Sequence, residues 1–247
     1  MSDTRPSDEF APASSGAGAM RFGATAQALD IDVDGSTRVS ALWQRPPGAR
    51  AACVLAHGAG AGMTHAFMAA TANGLAQRGI ASLRYQFAYM ERGSKRPDAP
   101  ALAHAAVRAA VATAQALAVD LPLYAGGKSF GGRMTSQAQA AAPLPGVRGL
   151  FFIGFPLHPA GRPSDARAKH LGDVGIPMLF LQGTRDELAD LSLLHPVVEQ
   201  LGDRARLELL VHADHAFHVP ARSGCTDAQT LADMLDRLAR WMMFERA

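Results

Sequence analysis

Six short apolar runs constrain this chain more than any other feature. They fall at residues 52–56 (ACVLA), 80–85 (IASLRY), 121–125 (LPLYA), 147–153 (VRGLFFI), 178–181 (MLFL) and 207–211 (LELLV). A strand with one wet face alternates apolar and polar residues, whereas a largely continuous apolar run belongs to a strand covered on both faces, the usual state in a parallel sheet. Between most of the runs lie segments of helical periodicity. Leu102, Ala106, Ala110, Ala114 and Leu117 step by three or four, as do Leu231, Met234, Leu235, Leu238, Trp241 and Met242, so each segment has one apolar face to lay on a sheet. Ahead of them, residues 28–33 alternate with period two, Asp34-Gly35 supplies a turn, and residues 38–43 form a second run, which is a hairpin pattern. The order predicts an α/β fold: a mostly parallel central sheet with helices on both faces and an N-terminal antiparallel hairpin. In such sheets ligands gather at the carboxyl ends of the strands.

Residues 1–24 are rich in Ser, Ala, Gly and Pro and lack apolar periodicity, so a flexible tail is expected there, followed by one domain over residues 25–247. No internal repeat or second core is visible. The composition is 48% hydrophobic and 19% charged, which is incompatible with a disordered chain, and a net charge of +2 is too small to attach the protein to nucleic acid or an anionic membrane by bulk electrostatics. The first ten residues carry Asp3, Asp8 and Glu9 rather than the apolar stretch of a signal peptide, and no run approaches the roughly 18 apolar residues of a membrane span, so a soluble cytoplasmic protein is expected. Cys53 and Cys225 have neither metal-site nor disulfide-framework spacing and read as two reduced thiols.

The residues after the third run are Gly126-Gly127-Lys128-Ser129-Phe130-Gly131-Gly132, followed by a stretch without helix breakers. Gly127 to Gly131 fits G-x-S-x-G, in which a serine on a sharp strand-to-helix turn exposes its hydroxyl and flanking small residues allow close packing. The pattern alone is weak; its place between a buried strand and a helix strengthens it. Gly127-Lys128-Ser129 also imitates the end of a P-loop, but Pro122 stands where that loop needs its first glycine. His57-Gly58-Ala59-Gly60-Ala61-Gly62 imitates a dinucleotide fingerprint, but Met63 takes the third glycine position and no acid follows the next strand.

A serine hydroxyl is a poor nucleophile near neutral pH and needs a base, itself oriented by an acid. Asp186, just beyond the fifth run, is the candidate acid, with Glu187 and Asp190 as competitors. His215 is the candidate base among His212, His215 and His218; a polar surface loop is the alternative for that segment, and a metal site is disfavoured because Asp214 is its only nearby acid. The chain order Ser129, Asp186, His215 matches the triad order of one large hydrolase fold. Oxyanion donors are expected from the Phe130 amide, at the start of the helix after Ser129, and from the Ala59 or Gly60 amide in the glycine-rich loop after the first apolar run. A glycine turn with consequences for packing alone is the competing reading of that loop.

Taken together, LAHGAGAGM from Leu55, LRYQF from Leu83, GGKSFGGR from Gly126, GFPLHP from Gly154, LQGTRD from Leu181 and ADHAF from Ala213 make residues 40–245 resemble the α/β-hydrolases of the dienelactone-hydrolase-like group. The resemblance is to its serine-nucleophile branch, which includes the hydrolase-like domain of a subunit of an animal histone acetyltransferase complex. Dienelactone hydrolases proper use cysteine where this chain has Ser129, so their named reaction is not carried over. The resemblance implies the α/β-hydrolase fold, a Ser129–Asp186–His215 triad and hydrolase activity, with residues 154–175 in the place of a lid too short to be a large lipase-type cap; no cofactor and no metal are expected. Phe155 and His158 from that segment, with Phe87 and Met63, are assigned to the substrate pocket; for His65 and His158 a structural role is the competing assignment. The expected activity is hydrolysis of a small carboxylic ester or thioester through an acyl-enzyme. The alternative from another class is a catalytically silent protein-interaction module. Peptide cleavage stays open, whereas carbon–halogen cleavage on this fold uses a carboxylate nucleophile. The C-terminal residues Trp241 to Phe244 suit packing on the sheet or on a second subunit, leaving monomer and homodimer both open.

Overall fold

The computed structural model describes residues 25–244; the expected tail at 1–24 lies outside the described residues. The N-terminal hairpin pairs β1 (Gln27–Asp32) antiparallel with β2 (Arg38–Gln44). Its turn is held by Asp34, whose Oδ1 accepts from the Ser36 and Thr37 amides at 3.0 and 2.8 Å, and Gly35 takes a φ of +80°, a conformation that costs glycine little.

Beyond the hairpin the strands are β3 (Ala51–Ala56), β4 (Ile80–Tyr85), β5 (Leu123–Lys128), β6 (Val147–Ile153), β7 (Met178–Gly183) and β8 (Ala205–Leu210). They form one eight-stranded sheet in the order β1-β2-β4-β3-β5-β6-β7-β8. β2 joins β4 antiparallel, and every pairing from β4 to β8 is parallel. The antiparallel hairpin thus forms one end of the parallel sheet, as expected from the sequence.

The period-two pleat divides the continuous apolar runs between two cores. Ala52, Val54, Ala125, Leu150, Phe152 and Phe180 point to one face, and Ala51, Cys53, Leu55, Tyr124, Phe151 and Leu179 to the other. α3 (Pro100–Leu117), α4 (Phe130–Ala141) and α5 (Leu191–Leu201) cover the first face; α1 (Ala66–Gln77) and α6 (Asp227–Phe244) cover the second. A single-turn helix, α2 (Ala88–Glu91), follows β4. Toward its end α6 packs onto the sheet through Trp241 and Met242, which are buried, while Phe244 is exposed; the Tyr124 ring lies tilted 5.3 Å from Trp241 and its hydroxyl donates to the Met242 carbonyl at 2.7 Å. Residues 154–175 form loops and one 3-10 helix (Ala166–Asp173) rather than a separate cap. Cys53 and Cys225 are free thiols, and burial pushes the Cys53 thiol up to about 12. Among the described residues no helix is long and apolar enough to cross a membrane.

Candidate active site

β5 runs through Gly126 and Gly127 to Lys128, and α4 begins at Phe130, so a single residue, Ser129, makes the turn between them. Ser129 has φ +50° and ψ −114°, a region where a side chain is strained and which persists only where surroundings impose it. Those surroundings are backbone. A Cβ on Gly127 would lie 2.1 Å from the Ala56 carbonyl oxygen, and one on Gly131 would lie 2.5 and 2.6 Å from the carbonyl oxygens of His57 and Ala56. The Ser129 amide donates to Ile153 O at 3.1 Å. β3, β5 and β6 therefore grip the turn from both sides and present the serine hydroxyl at the carboxyl edge of the sheet.

The other two sequence-predicted residues meet it there. His215, beyond β8, places Nε2 2.9 Å from Ser129 Oγ, and its Nδ1 lies 2.7 Å from Asp186 Oδ2. Asp186 is buried beyond β7; its Oδ1 accepts from the Leu188 amide at 2.8 Å, and its Oδ2 also accepts from Gln182 Nε2 at 2.6 Å. With Asp186 an acceptor, Nδ1 carries the imidazole proton and Nε2 is left as a base toward Ser129. Glu187 and Asp190 do not reach His215; Asp190 instead caps α5 through the Ser192 amide at 2.8 Å. His218 lies on the surface and pairs with Asp227, which raises its pKa.

Gln182 was not anticipated. It is fully buried, donates to Asp186 and accepts from the Phe155 amide at 2.9 Å, and so ties the acid to the strand beneath it. Lys128, beside the serine, donates from Nζ to the His215 carbonyl, and its ammonium lies 5.2 Å from the centre of the Phe217 ring. Burial pushes Lys128 down to about 8, against the attraction of Asp186 and Asp214.

The predicted oxyanion donors separate. The Phe130 amide is in the first turn of α4, where backbone N–H groups lack a helical acceptor. Ala59 is exposed and its amide has no protein acceptor among the described residues. The Gly60 amide, by contrast, donates to the Tyr89 hydroxyl at 3.2 Å. The loop is fixed by His57, whose Nδ1 donates to Gly58 O at 2.8 Å while Nε2 accepts from the Phe87 amide at 3.0 Å. Burial lowers the His57 pKa and keeps the ring neutral in that tautomer.

The four residues assigned to the substrate pocket are all buried, and none of them lines either cavity at Ser129. Phe155 packs its ring 5.2 Å from Phe152 and 5.8 Å from Phe180 in the core. Phe87 fills the space between His57 and Phe130, at 4.9 and 5.2 Å. Met63 donates its amide to Gln86 Oε1 at 2.8 Å. His158 accepts from the Asp190 amide at 2.9 Å through Nε2, while Nδ1 donates to Pro159 O at 2.9 Å, so that the ring ties two loops together. Ser129 instead opens on two cavities. One, of about 360 Å³, is walled by Ala61, His65, Phe67, Met68, His215 and Ala216. The other, of about 440 Å³, runs over the first turns of α4 and is walled by Phe130, Arg133, Met134, Gln137, Pro156 and Arg167. Ala59 and Leu188 border both.

A second serine–histidine contact, Ser136 Oγ to His170 Nε2 at 2.8 Å, has different surroundings. Ser136 is buried within α4, and its hydroxyl donates to the Arg133 carbonyl at 3.0 Å. Among the described residues no group of three or more His, Cys, Asp and Glu is arranged to hold a metal ion.

The family model of the alpha/beta hydrolase domain matches residues 49–243. Among solved structures, a dienelactone hydrolase from Anabaena variabilis is 22% identical with a TM-score of 0.70, the match covering 90% of this chain and 99% of that one. A member of the α/β serine hydrolases without a lid, from Xanthomonas campestris, is 21% identical with a TM-score of 0.68, covering 91% and 99%. The esterase domain of a Rhodothermus marinus protein is 16% identical with a TM-score of 0.67, covering 89% and 98%. Identities this low establish a common fold.

Proposed function

Because the chain belongs to the alpha/beta hydrolase domain family, we propose that it is a serine hydrolase that cleaves small carboxylic esters or thioesters through an acyl-enzyme. The observation that carries the proposal is the unbroken hydrogen-bond chain from Ser129 Oγ through both nitrogens of His215 to Asp186. It is supported by a strained serine at the start of a helix and by the Phe130 and Ala59 amides beside it.

In this mechanism His215 Nε2 removes the Ser129 proton as Oγ forms a bond to the carbonyl carbon. Negative charge moves onto the carbonyl oxygen, where the Phe130 and Ala59 N–H groups meet it; each such donor contributes about 3 kcal/mol in related sites. The tetrahedral intermediate collapses, the alcohol or thiol leaves with the proton from His215, and water, deprotonated by the same nitrogen, releases the acid. Asp186 holds the imidazole and stabilises its charged form without taking the proton.

The test is turnover of 4-nitrophenyl acetate and its longer-chain homologues by the wild type and by Ser129→Ala. A loss on the order of 10⁴-fold or more in kcat is expected for the variant. Equal turnover by the folded variant would remove Ser129 from the mechanism, and the absence of turnover of every ester by the wild type would favour the silent interaction module.

A further inference from the structure

Two cavities meet at Ser129. The first is largely apolar and is lined by His215 and by Lys128, whose ammonium donates to the His215 carbonyl and is attracted by Asp186 and Asp214; the second is lined by two arginines and not by His215. Arg133 lies one turn along α4 from the serine, its amide donating to Ser129 O at 3.1 Å, and Arg167 reaches the same cavity from the 3-10 helix. Among the described residues neither guanidinium takes part in an ion pair. Arg133 Nε is buried with no hydrogen-bond partner, and burial followed by the nearby Arg167 charge lowers the Arg133 pKa.

The other titratable groups facing this pair leave its charge unmet. Asp98 borders the cavity, but its Oδ1 is occupied by Arg92 at 2.7 Å and its Oδ2 by the Tyr89 amide at 2.9 Å. His104 and His170 face Arg133; burial lowers both, His170 to about 4, so both are neutral at physiological pH. Two guanidinium groups thus border one cavity, one of them with a buried N–H that has no partner; leaving such a donor unmet costs free energy, and planar guanidinium suits a carboxylate bidentately.

The position of His215 orients the substrate. The group that receives a proton from His215 Nε2 is the leaving alcohol, so the alcohol lies in the cavity that contains His215 and the acyl chain extends into the other. Building on the serine-hydrolase reading above, we propose that the preferred substrates are esters or thioesters of short dicarboxylic acids, the free carboxylate of the acyl part being held by Arg133 and Arg167. The bond changes are those of the serine mechanism: Ser129 Oγ bonds to the acyl carbon, the alcohol oxygen leaves with the His215 proton, and the distal carboxylate is a spectator.

The experiment compares kcat/KM, with the uncatalysed rate subtracted, for mono(4-nitrophenyl) adipate, neutral 4-nitrophenyl hexanoate, and 4-carboxyphenyl hexanoate, which carries its charge on the alcohol. Wild type is expected to favour the adipate over the neutral ester by about 10- to 100-fold, mainly through KM, with the ratio shrinking as salt rises. In Arg133→Gln and, separately, Arg167→Gln the adipate-to-hexanoate ratio should fall toward one, and the carboxyphenyl ester should gain no arginine-dependent advantage. A wild-type preference for the neutral ester overturns the proposal and needs no variant to be folded; so does a preference that survives in both variants. Ser129-dependent hexanoate turnover without charge preference sinks the anion site alone, whereas no turnover of any ester, together with no reaction of Ser129 with a fluorophosphonate, sinks the serine-hydrolase reading beneath it.

Discussion

Replacing Asp186 by asparagine changes almost no volume and tests how the imidazole is set. Asp186 Oδ2 accepts from both His215 Nδ1 and Gln182 Nε2, at 2.7 and 2.6 Å, and Oδ1 accepts from the Leu188 amide at 2.8 Å. Asparagine offers one oxygen and one NH₂. With its oxygen toward Leu188, the NH₂ faces the Gln182 NH₂ and turns His215 Nδ1 into an acceptor, which moves the ring proton to Nε2 and removes the base from Ser129. With the oxygen toward His215, the NH₂ faces the Leu188 N–H. Either orientation sets donor against donor in a buried place, at a stability cost of about 1–3 kcal/mol. The catalytic loss from the wrong tautomer is on the order of 10⁴-fold, or about 5.5 kcal/mol. The assay is kcat for 4-nitrophenyl acetate near neutral pH, with the melting temperature measured alongside. A folded Asp186→Asn protein within tenfold of wild type would refute the tautomer switch, and with it the orientation that keeps the asparagine oxygen on the Leu188 amide.

Other substitutions separate support from chemistry. Gly131→Ala sets a Cβ against the carbonyl oxygens of His57 and Ala56, at 2.6 Å or less. It should lower unfolding stability in urea by about 3 kcal/mol and abolish activity together with it. Gln182→Leu removes one donor from Asp186 and orphans the Phe155 amide; a stability loss of about 1–3 kcal/mol is expected from denaturant curves, with a fall in kcat and little change in KM. His170 is held down to about 4 by burial, Arg133 and His104, below its ordinary value. The unfolded chain therefore binds the extra proton between about pH 6.5 and 4, and stability is lost on acidification through that window. His170→Gln should flatten that part of the urea-stability profile relative to wild type; identical slopes would refute the assignment.

The sheet was legible because burial on both faces writes itself as continuous apolar runs, and β4 and β6 begin and end at the residues the runs mark. α1 was not, because its buried face is made partly of Thr71, Ala72 and Gly74. Gly74 faces α6 closely there, since a Cβ would lie 2.3 Å from the Leu235 Cδ1 methyl. α5 is masked by Pro196, which reads as a breaker yet sits inside the helix. At the site, the proximity of Ser129, Asp186 and His215 was readable because each follows a strand, and the carboxyl ends of the strands lie together. The pocket was not, because aromatic residues near a site attract assignment to it while the close-packed interior claims them. Phe87 and Phe155 are buried behind the loops, and Ala59, Phe67, Leu188 and Arg133 form the walls. Gln182 and His57 act through backbone amides distant in sequence, a relation with no local pattern.

The central claim is that Ser129 is an activated nucleophile. Its most direct test is reaction of the folded protein with a fluorophosphonate, followed by mass mapping of the labelled peptide. The account predicts one covalent adduct, located on Ser129 and absent from both Ser129→Ala and His215→Ala. A folded wild type that remains unlabelled, or an adduct located on Ser136 beside His170, would contradict it.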